Sequence, residues 1–221
     1  MQPIAILWDM DGTIVDSERV AWQAAVRAFK EIHQIDLPEA EWSAFHGQSD
    51  LSFFTTTCKH LGIDQIEPVR HHFAKLYLPI LAQCPLLPGV REAMQMLSEF
   101  GPQAIVSGSM PAQIQCVIDA HNLASFITYT LGCGQYERGK PDPQPFQLAA
   151  HALGFEAERC LVLEDSPSGV RSGLSAGMKV IGLRIGNVRP DFPAGKHDVS
   201  EAHVQLHSLQ DLRRQEIEKL F

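Results

Sequence analysis

The apolar run Ile4-Ala5-Ile6-Leu7-Trp8, followed at once by Asp9, Asp11 and Gly12, constrains this chain more than any other stretch. Its length and branching predict a short strand buried on both faces, as the strands of parallel sheets are. Residues two apart on a strand share a side, so near its end Asp9 and Asp11 can aim two carboxylates into one cleft. Ligands of open α/β sheets gather beyond the carboxyl ends of the strands, where this pair would lie. The same letters also spell an Asp-rich turn bent by Gly12. The remainder of the chain has to decide between the two.

From Ser17, a plausible N-cap, to His33 the pattern predicts a helix with Val20, Ala24, Ala28 and Ile32 on one face. Helical periodicity continues to about Gln83, with Trp42, Phe45, Phe53 and Phe54 and breaks at Pro38, Gly47 and Gly62, which reads as a small all-helical insertion. Cys84-Pro85-Leu86-Leu87-Pro88-Gly89 is a candidate hinge. Strands and helices then alternate. A helix opened by Pro88 leads to the strand Ala104-Ile105-Val106, and Pro111 opens the next helix before a strand over 126–131. Asp142-Pro143 caps a helix that leads to the strand Cys160-Leu161-Val162-Leu163, and Ser166-Pro167 opens another helix before the strand Val180-Ile181-Gly182-Leu183. Ser208 with Asp211 reads as a capping box for the last helix. The expected fold class is α/β: a doubly wound parallel-sheet core, residues 1–15 and 86–221, with a helical cap, residues 16–85, inserted after the first strand.

Length and charge narrow the partners. A chain of 221 residues can bury one ordinary domain and a smaller companion. A net charge of −8 argues against nucleic acid or an acidic membrane surface, so an anionic substrate would need a local positive site. No run approaches the roughly 18 apolar residues of a membrane span, and no leader pattern precedes the first strand. Five cysteines, an odd number without CxxC spacing, read as reduced core thiols of a cytoplasmic protein, either a monomer or a weak homo-oligomer. His60 and His71-His72 lack the spacing of a zinc site.

Three further strand ends carry polar groups. Ser107-Gly108-Ser109 precedes a helix, where a hydroxyl and free N–H groups can hold phosphate oxygens, although a serine N-cap explains it as well. Lys140 stands in Gly139-Lys140-Pro141-Asp142-Pro143, where two prolines stiffen the loop, so it is a positioned charge or else a solvated lysine. Glu164-Asp165 follows four apolar residues and reads as helix capping or as a ligand pair. Were Asp9, Asp11, Glu164 and Asp165 to converge, their repulsion would call for a cation or for raised pKa values, and Mg²⁺ suits carboxylates, water and a substrate phosphate.

Asp9-Met10-Asp11-Gly12-Thr13, Ser107, Lys140 in GKPDP, and Glu164-Asp165-Ser166 with Gly169 and Ala176-Gly177-Met178 occur in the order of the four motifs of the haloacid dehalogenase-like hydrolases. The chain resembles that superfamily from Ile4 to about Leu183, and most of all its members with a helical cap, among them sugar-phosphate phosphatases, phosphoglycolate phosphatase and β-phosphoglucomutase. The resemblance implies that Asp9 is a nucleophile forming an aspartyl-phosphate and that Asp11 is the general acid and base. It implies that Mg²⁺ is held by Asp9, the Asp11 carbonyl and Asp165, with Glu164 a ligand or a supporting partner. Ser107, the Gly108 N–H and Lys140 would then hold the phosphoryl group.

A carboxylate at Asp11 favours phosphate esters over carbon–halogen or phosphonate chemistry, since an alkoxide leaving group needs a proton. Where the mutase carries a cap histidine and arginine, this chain has Ala21 and Asp50, which suits hydrolysis better than retention of a second phosphate. The expectation is a Mg²⁺-dependent phosphatase of a small phosphorylated metabolite. A sugar-phosphate mutase and a non-catalytic binding or regulatory protein are the alternatives.

Overall fold

In the computed structural model, which describes residues 2–38, 41, 49–184 and 198–221, the run Ala5–Trp8 forms β1 and is wholly buried. Among these residues β1 is joined by β2 (Gln103–Val106), β3 (Ile127–Leu131), β4 (Cys160–Glu164), β5 (Lys179–Leu183) and β6 (Val204–Leu206). All pairings are parallel, in the order β3-β2-β1-β4-β5-β6. After β1 the chain builds outward through β2 and β3, then returns to place β4 on the other side of β1. The strand order therefore reverses between β1 and β4. There the loops part and leave the crevice in which such sheets bind ligands.

Alternation along β1 divides the core in two. Ile6 and Trp8 face the cluster built with α4 (Val90–Ser98), α5 (Pro111–Ala120) and α8 (Arg214–Leu220), whereas Ala5 and Leu7 face α6 (Gln144–Leu153) and α7 (Pro167–Ser175). Trp8 is core, as its place in a buried strand requires. Its indole N–H donates to Gln103 Oε1 at 2.8 Å, and Gln103 Nε2 donates to the Met94 carbonyl at 2.7 Å, so no polar atom of the pair is stranded.

Between β1 and β2 lie α1 (Glu18–His33), α2 (Asp50–His60) and α3 (Glu67–Leu81). Phe53 and Phe54, expected in the cap core, are buried in a chain of ring contacts running from Phe29 through Phe54 and Phe73 to Tyr77. Trp42, Phe45 and Gly47 lie outside the described residues. The two passages between cap and core pair with each other: Val15 bridges Leu86, the Leu87 N–H donates to the Ile14 carbonyl at 2.9 Å, and the Asp16 N–H donates to Pro85.

Some expected details differ. The buried face of α1 is Ala21, Ala24, Ala25, Ala28 and Phe29, while Ile32 is exposed, because small alanines and one ring let α1 lie close against α3. Helix α4 starts after Gly89, not at Pro88. Gly89 has a φ of 87°, and a Cβ there would meet the Gln210 nitrogen at 2.5 Å, so the turn needs glycine before the helix can begin. Ser208 caps a short 3₁₀ turn, Leu209–Asp211, and α8 begins only at Arg214, where Glu216 accepts from the Arg213 N–H at 2.9 Å. The edge strand β6 was not expected, since three residues are too few for a periodic signal.

Candidate active site

The ends of β1, β2 and β4 and the loop after β3 deliver every side chain that the sequence singles out to one cavity of about 450 Å³. Asp9, Asp11, Ser107, Gly108, Lys140, Glu164 and Asp165 all line it. Two separate hydrogen-bond systems divide them.

The first system centres on Lys140, whose peptide bond to Pro141 is cis. Its ammonium donates to Asp9 Oδ1 at 2.6 Å, to Glu164 Oε1 at 2.7 Å and to the Val106 carbonyl at 2.9 Å, and lies 4.9 Å from the centre of the Phe146 ring. Burial alone would push the Lys140 ammonium down, but the Asp9 and Glu164 carboxylates outweigh it and hold its pKa above the ordinary lysine value. Asp9 moves up, first through burial and then through repulsion from Glu164, against the pull of Lys140.

Glu164 spends its other oxygen locally. Oε2 accepts from the Asp165 N–H at 3.0 Å and from the Ser166 N–H and hydroxyl at 2.9 Å each. Ser166 is the N-cap of α7, as expected, accepting from the Gly169 N–H at 3.0 Å. Asp165 leans on the turn after β1. Thr13 Oγ1 donates to its Oδ1 at 3.3 Å, and Gly12, with a φ of 82°, leaves the space that Asp165 fills. A Cβ at Gly12 would sit 2.3 Å from Asp165 Oδ2.

The second system surrounds Asp11. Ser17 donates to Oδ1 at 2.5 Å, while Ser109 and Ser107 donate to Oδ2 at 2.7 and 3.2 Å. Burial raises the Asp11 pKa, and the Ser17 and Ser109 hydroxyls partly oppose this by favouring the charged form. Ser17 was read as a helix cap, yet its side chain caps nothing, because it is turned back to Asp11. The only sequence trace of this role is its place six residues after Asp11.

The cap closes the far side. Helix α2 points its N-terminus at the Ser107–Ser109 loop, where the Asp50 N–H donates to the Gly108 carbonyl at 3.2 Å and Asp50 Oδ2 accepts from Gln113 Nε2 at 2.8 Å. A Cβ on Gly108 would be 3.1 Å from the Ser49 Cα, so glycine permits this approach. Burial pushes Asp50 up to about 7, with Gln113 opposing and Asp11 adding to the rise. Ala21, Asp50 and Tyr77 line the same cavity. Tyr77 and the donors Ser17, Ser109 and Thr13 are additions to the sequence reading.

Among the described residues, Asp9, Glu164 and Asp165 are the one group of three side chains able to hold a metal, with oxygens all within 4.8 Å of one another. An all-carboxylate donor set, buried and with Asp9 driven up by burial and by repulsion from Glu164, fits a hard divalent cation. No described helix is long and apolar enough to cross a membrane.

Comparison with known proteins places the chain in a family. A model of the haloacid dehalogenase-like hydrolases matches residues 6–183. Hexitol phosphatase A of Escherichia coli (strain K12) is 32% identical over 222 residues, covering 93% of this chain and 91% of that protein. The 6-phosphogluconate phosphatase of the same organism is 28% identical over 80% of each chain. Among solved structures, CbbY from Rhodobacter sphaeroides in complex with phosphate shares the fold with a TM-score of 0.82 at 19% identity, over 96% of both chains. β-Phosphoglucomutase from Clostridium difficile gives 0.82 at 18% identity, over 99% of this chain and 97% of that one. The chain belongs to the haloacid dehalogenase-like hydrolase family.

Proposed function

We propose that this protein is a Mg²⁺-dependent phosphatase that hydrolyses a small phosphomonoester, a sugar phosphate or similar metabolite, through an aspartyl-phosphate on Asp9. One observation carries the reading: two neighbouring carboxylates have opposite partners. Asp9 is held by an ammonium, and among the described residues the Asp11 side chain is held only by hydroxyls. A nucleophile that must approach an anionic phosphate gains from a cation beside it. A proton carrier gains from donors that can yield and from a pKa raised toward neutrality.

In the first step a carboxylate oxygen of Asp9 attacks phosphorus, the ester P–O bond breaks, and Asp11 gives its proton to the departing alkoxide. In the second step Asp11 takes a proton from water, the water oxygen attacks phosphorus, and the bond to Asp9 breaks, which releases inorganic phosphate and restores the Asp9 carboxylate and the Asp11 carboxylic acid. Ser107, the Gly108 N–H and Lys140 hold the phosphoryl oxygens. When bound, Mg²⁺ supplies charge neutralisation at the phosphoryl group. Asp9 and Asp165 would hold it with the Asp11 carbonyl. Glu164 would stand behind them, since Lys140 and the turn into α7 already use both its oxygens.

Residues 16–85 act as the cap that closes over the substrate, a division supported by the Val15–Leu86 bridge. The curated relatives support the substrate class by what their names say they act on, a hexitol phosphate in one and 6-phosphogluconate in another. A cytoplasmic location suits such metabolites. A mutase would need a cationic grip on a second phosphate. Lys140 is the only Lys or Arg lining the cavity among the described residues, and Ala21 and Asp50 stand where that grip would be. The test is release of inorganic phosphate from a panel of phosphorylated metabolites with Mg²⁺ and with a chelator. Release that needs the metal is expected, and no release from any ester would refute the reading.

A further inference from the structure

The half of the cavity away from Lys140 is acidic and rich in hydroxyls. Beyond the carboxylates at the phosphate end, Glu18 and Asp50 line it, together with Ser49, Ser52 and Thr55. Lys140, the single lining ammonium among the described residues, is already shared between Asp9 and Glu164. The charge of Arg70 reaches Asp50, but Arg70 is paired with Glu67 and does not line the cavity, so a second anionic group on a substrate would lie among carboxylates in a partly desolvated cleft where repulsion is weakly screened.

Two cap groups want a different partner. Among the described residues the hydroxyl of Tyr77, which is 1% exposed and lines the cavity, completes no hydrogen bond, although the Ser17 hydroxyl lies near it. Burial first, then the charge of Asp11, raise its pKa against the opposing Ser17 hydroxyl, so it stays protonated and able to donate. A buried hydroxyl left unpaired is a standing cost that an incoming oxygen relieves. Asp50 gives only Oδ2 to Gln113. Near neutral pH it exchanges between carboxylate and carboxylic acid, accepting in one form and donating in the other. Hydroxyls, which both donate and accept, satisfy both groups.

We infer that the leaving group is an uncharged, polyhydroxylated carbon chain bearing a single phosphate, and that Asp50 and Tyr77 determine this preference. The inference rests on the phosphatase reading above and narrows it, setting aside sugar acids, short carboxylic acids and bisphosphates.

The experiment compares kcat/KM, with Mg²⁺, for D-sorbitol 6-phosphate and the 6-phosphate of D-gluconate. These share a six-carbon polyol chain and differ only in a hydroxymethyl or a carboxylate at the far end. p-Nitrophenyl phosphate reports on the chemical machinery alone. The alcohol should be preferred by on the order of 30-fold or more, expressed chiefly in KM. Thr55→Lys places an ammonium on an exposed residue of α2 that faces the cavity, and should narrow the preference by about tenfold by raising the rate on the acid. A ratio near one, or a wide ratio that Thr55→Lys leaves in place, would overturn the inference. Turnover of p-nitrophenyl phosphate alone would also overturn it, while leaving the phosphatase reading standing. No release from any of the three esters would overturn the phosphatase reading itself.

Discussion

Replacing Gly169 by alanine should destabilise this protein, although the same change usually stabilises a helix. Gly169 lies in the first turn of α7, and alanine there would gain about 1 kcal/mol of helix propensity on an open surface. Here the new Cβ would fall 1.7 Å from Glu164 Oε1 and 1.8 Å from its Cδ, so Glu164 has to move. It has little freedom to do so. Its side chain is 1% exposed, with Oε1 on Lys140 and Oε2 on two N–H groups and a hydroxyl. Removing one partner of a buried ion pair costs about 3–5 kcal/mol. Set against the propensity gain, a net loss of about 2–4 kcal/mol follows. For a chain of this size that is a fall in Tm of roughly 4–16 °C, and Lys140 would lose one of the two carboxylates that aim it.

Thermal or urea unfolding, with phosphatase assays alongside, measures both effects. A second background reverses the sign: in Glu164→Ala the obstruction is gone, so adding Gly169→Ala should stabilise that variant by up to about 1 kcal/mol. If Gly169→Ala leaves the wild-type background as stable and as active as before, the placement of Glu164 between Lys140 and α7 is wrong, and with it the account of what holds Lys140 over Asp9.

Asp9→Asn should abolish turnover with an unchanged circular dichroism spectrum; retained activity above a few per cent (about the level at which contaminating wild type stops being an explanation) would exclude Asp9 as the nucleophile. Asp11→Asn should slow both half-reactions and let a covalent phosphate accumulate on intact-mass spectra, and wild-type turnover would remove it as the proton carrier. Lys140→Ala leaves Asp9 and Glu164 facing each other without a cation, so turnover should fall together with stability, by about 3–5 kcal/mol in unfolding measurements; a normal rate would make the lysine a bystander. Asp50→Asn should stabilise the protein at pH 8 and lose that advantage in acid. With its folded pKa raised from 3.8 to about 7, ionised Asp50 opposes folding fully above that value. The penalty fades by at most ~1.4 kcal/mol per pH unit on the way down to its unfolded value, and an advantage equal at pH 8 and pH 4.5 would show that Asp50 does not titrate in that range.

What was legible in the sequence was written locally. The strands that bring carboxylates to the site, β1 and β4, are apolar runs stopped by a charge, and each such punctuation mark acts within a few residues of itself. Asp9, Ser107, Lys140 and Glu164 could be placed at strand or loop ends for that reason, and the parallel sheet then carried them to one cleft. The losses came where a side chain has two possible partners, one near and one far. Ser17 has the spacing of a helix cap and spends its hydroxyl on Asp11 instead. Ser208 does cap, but a 3₁₀ turn that intervenes before α8. The buried face of α1 was misjudged by weighing Val20 and Ile32 above alanines, when close approach to α3 favours small residues over bulky ones. The contact of Asp50 with Gln113 spans 63 residues and joins cap to core, so no local pattern announces it. Yet that contact brings a titratable cap carboxyl up to the loop that holds Asp11. In the proposed mechanism the proton carrier Asp11 stands in a local motif but is held by Ser107 and Ser109, 96 and 98 residues away, and the proposed choice of substrate rests on a meeting of cap and core that is equally remote in sequence.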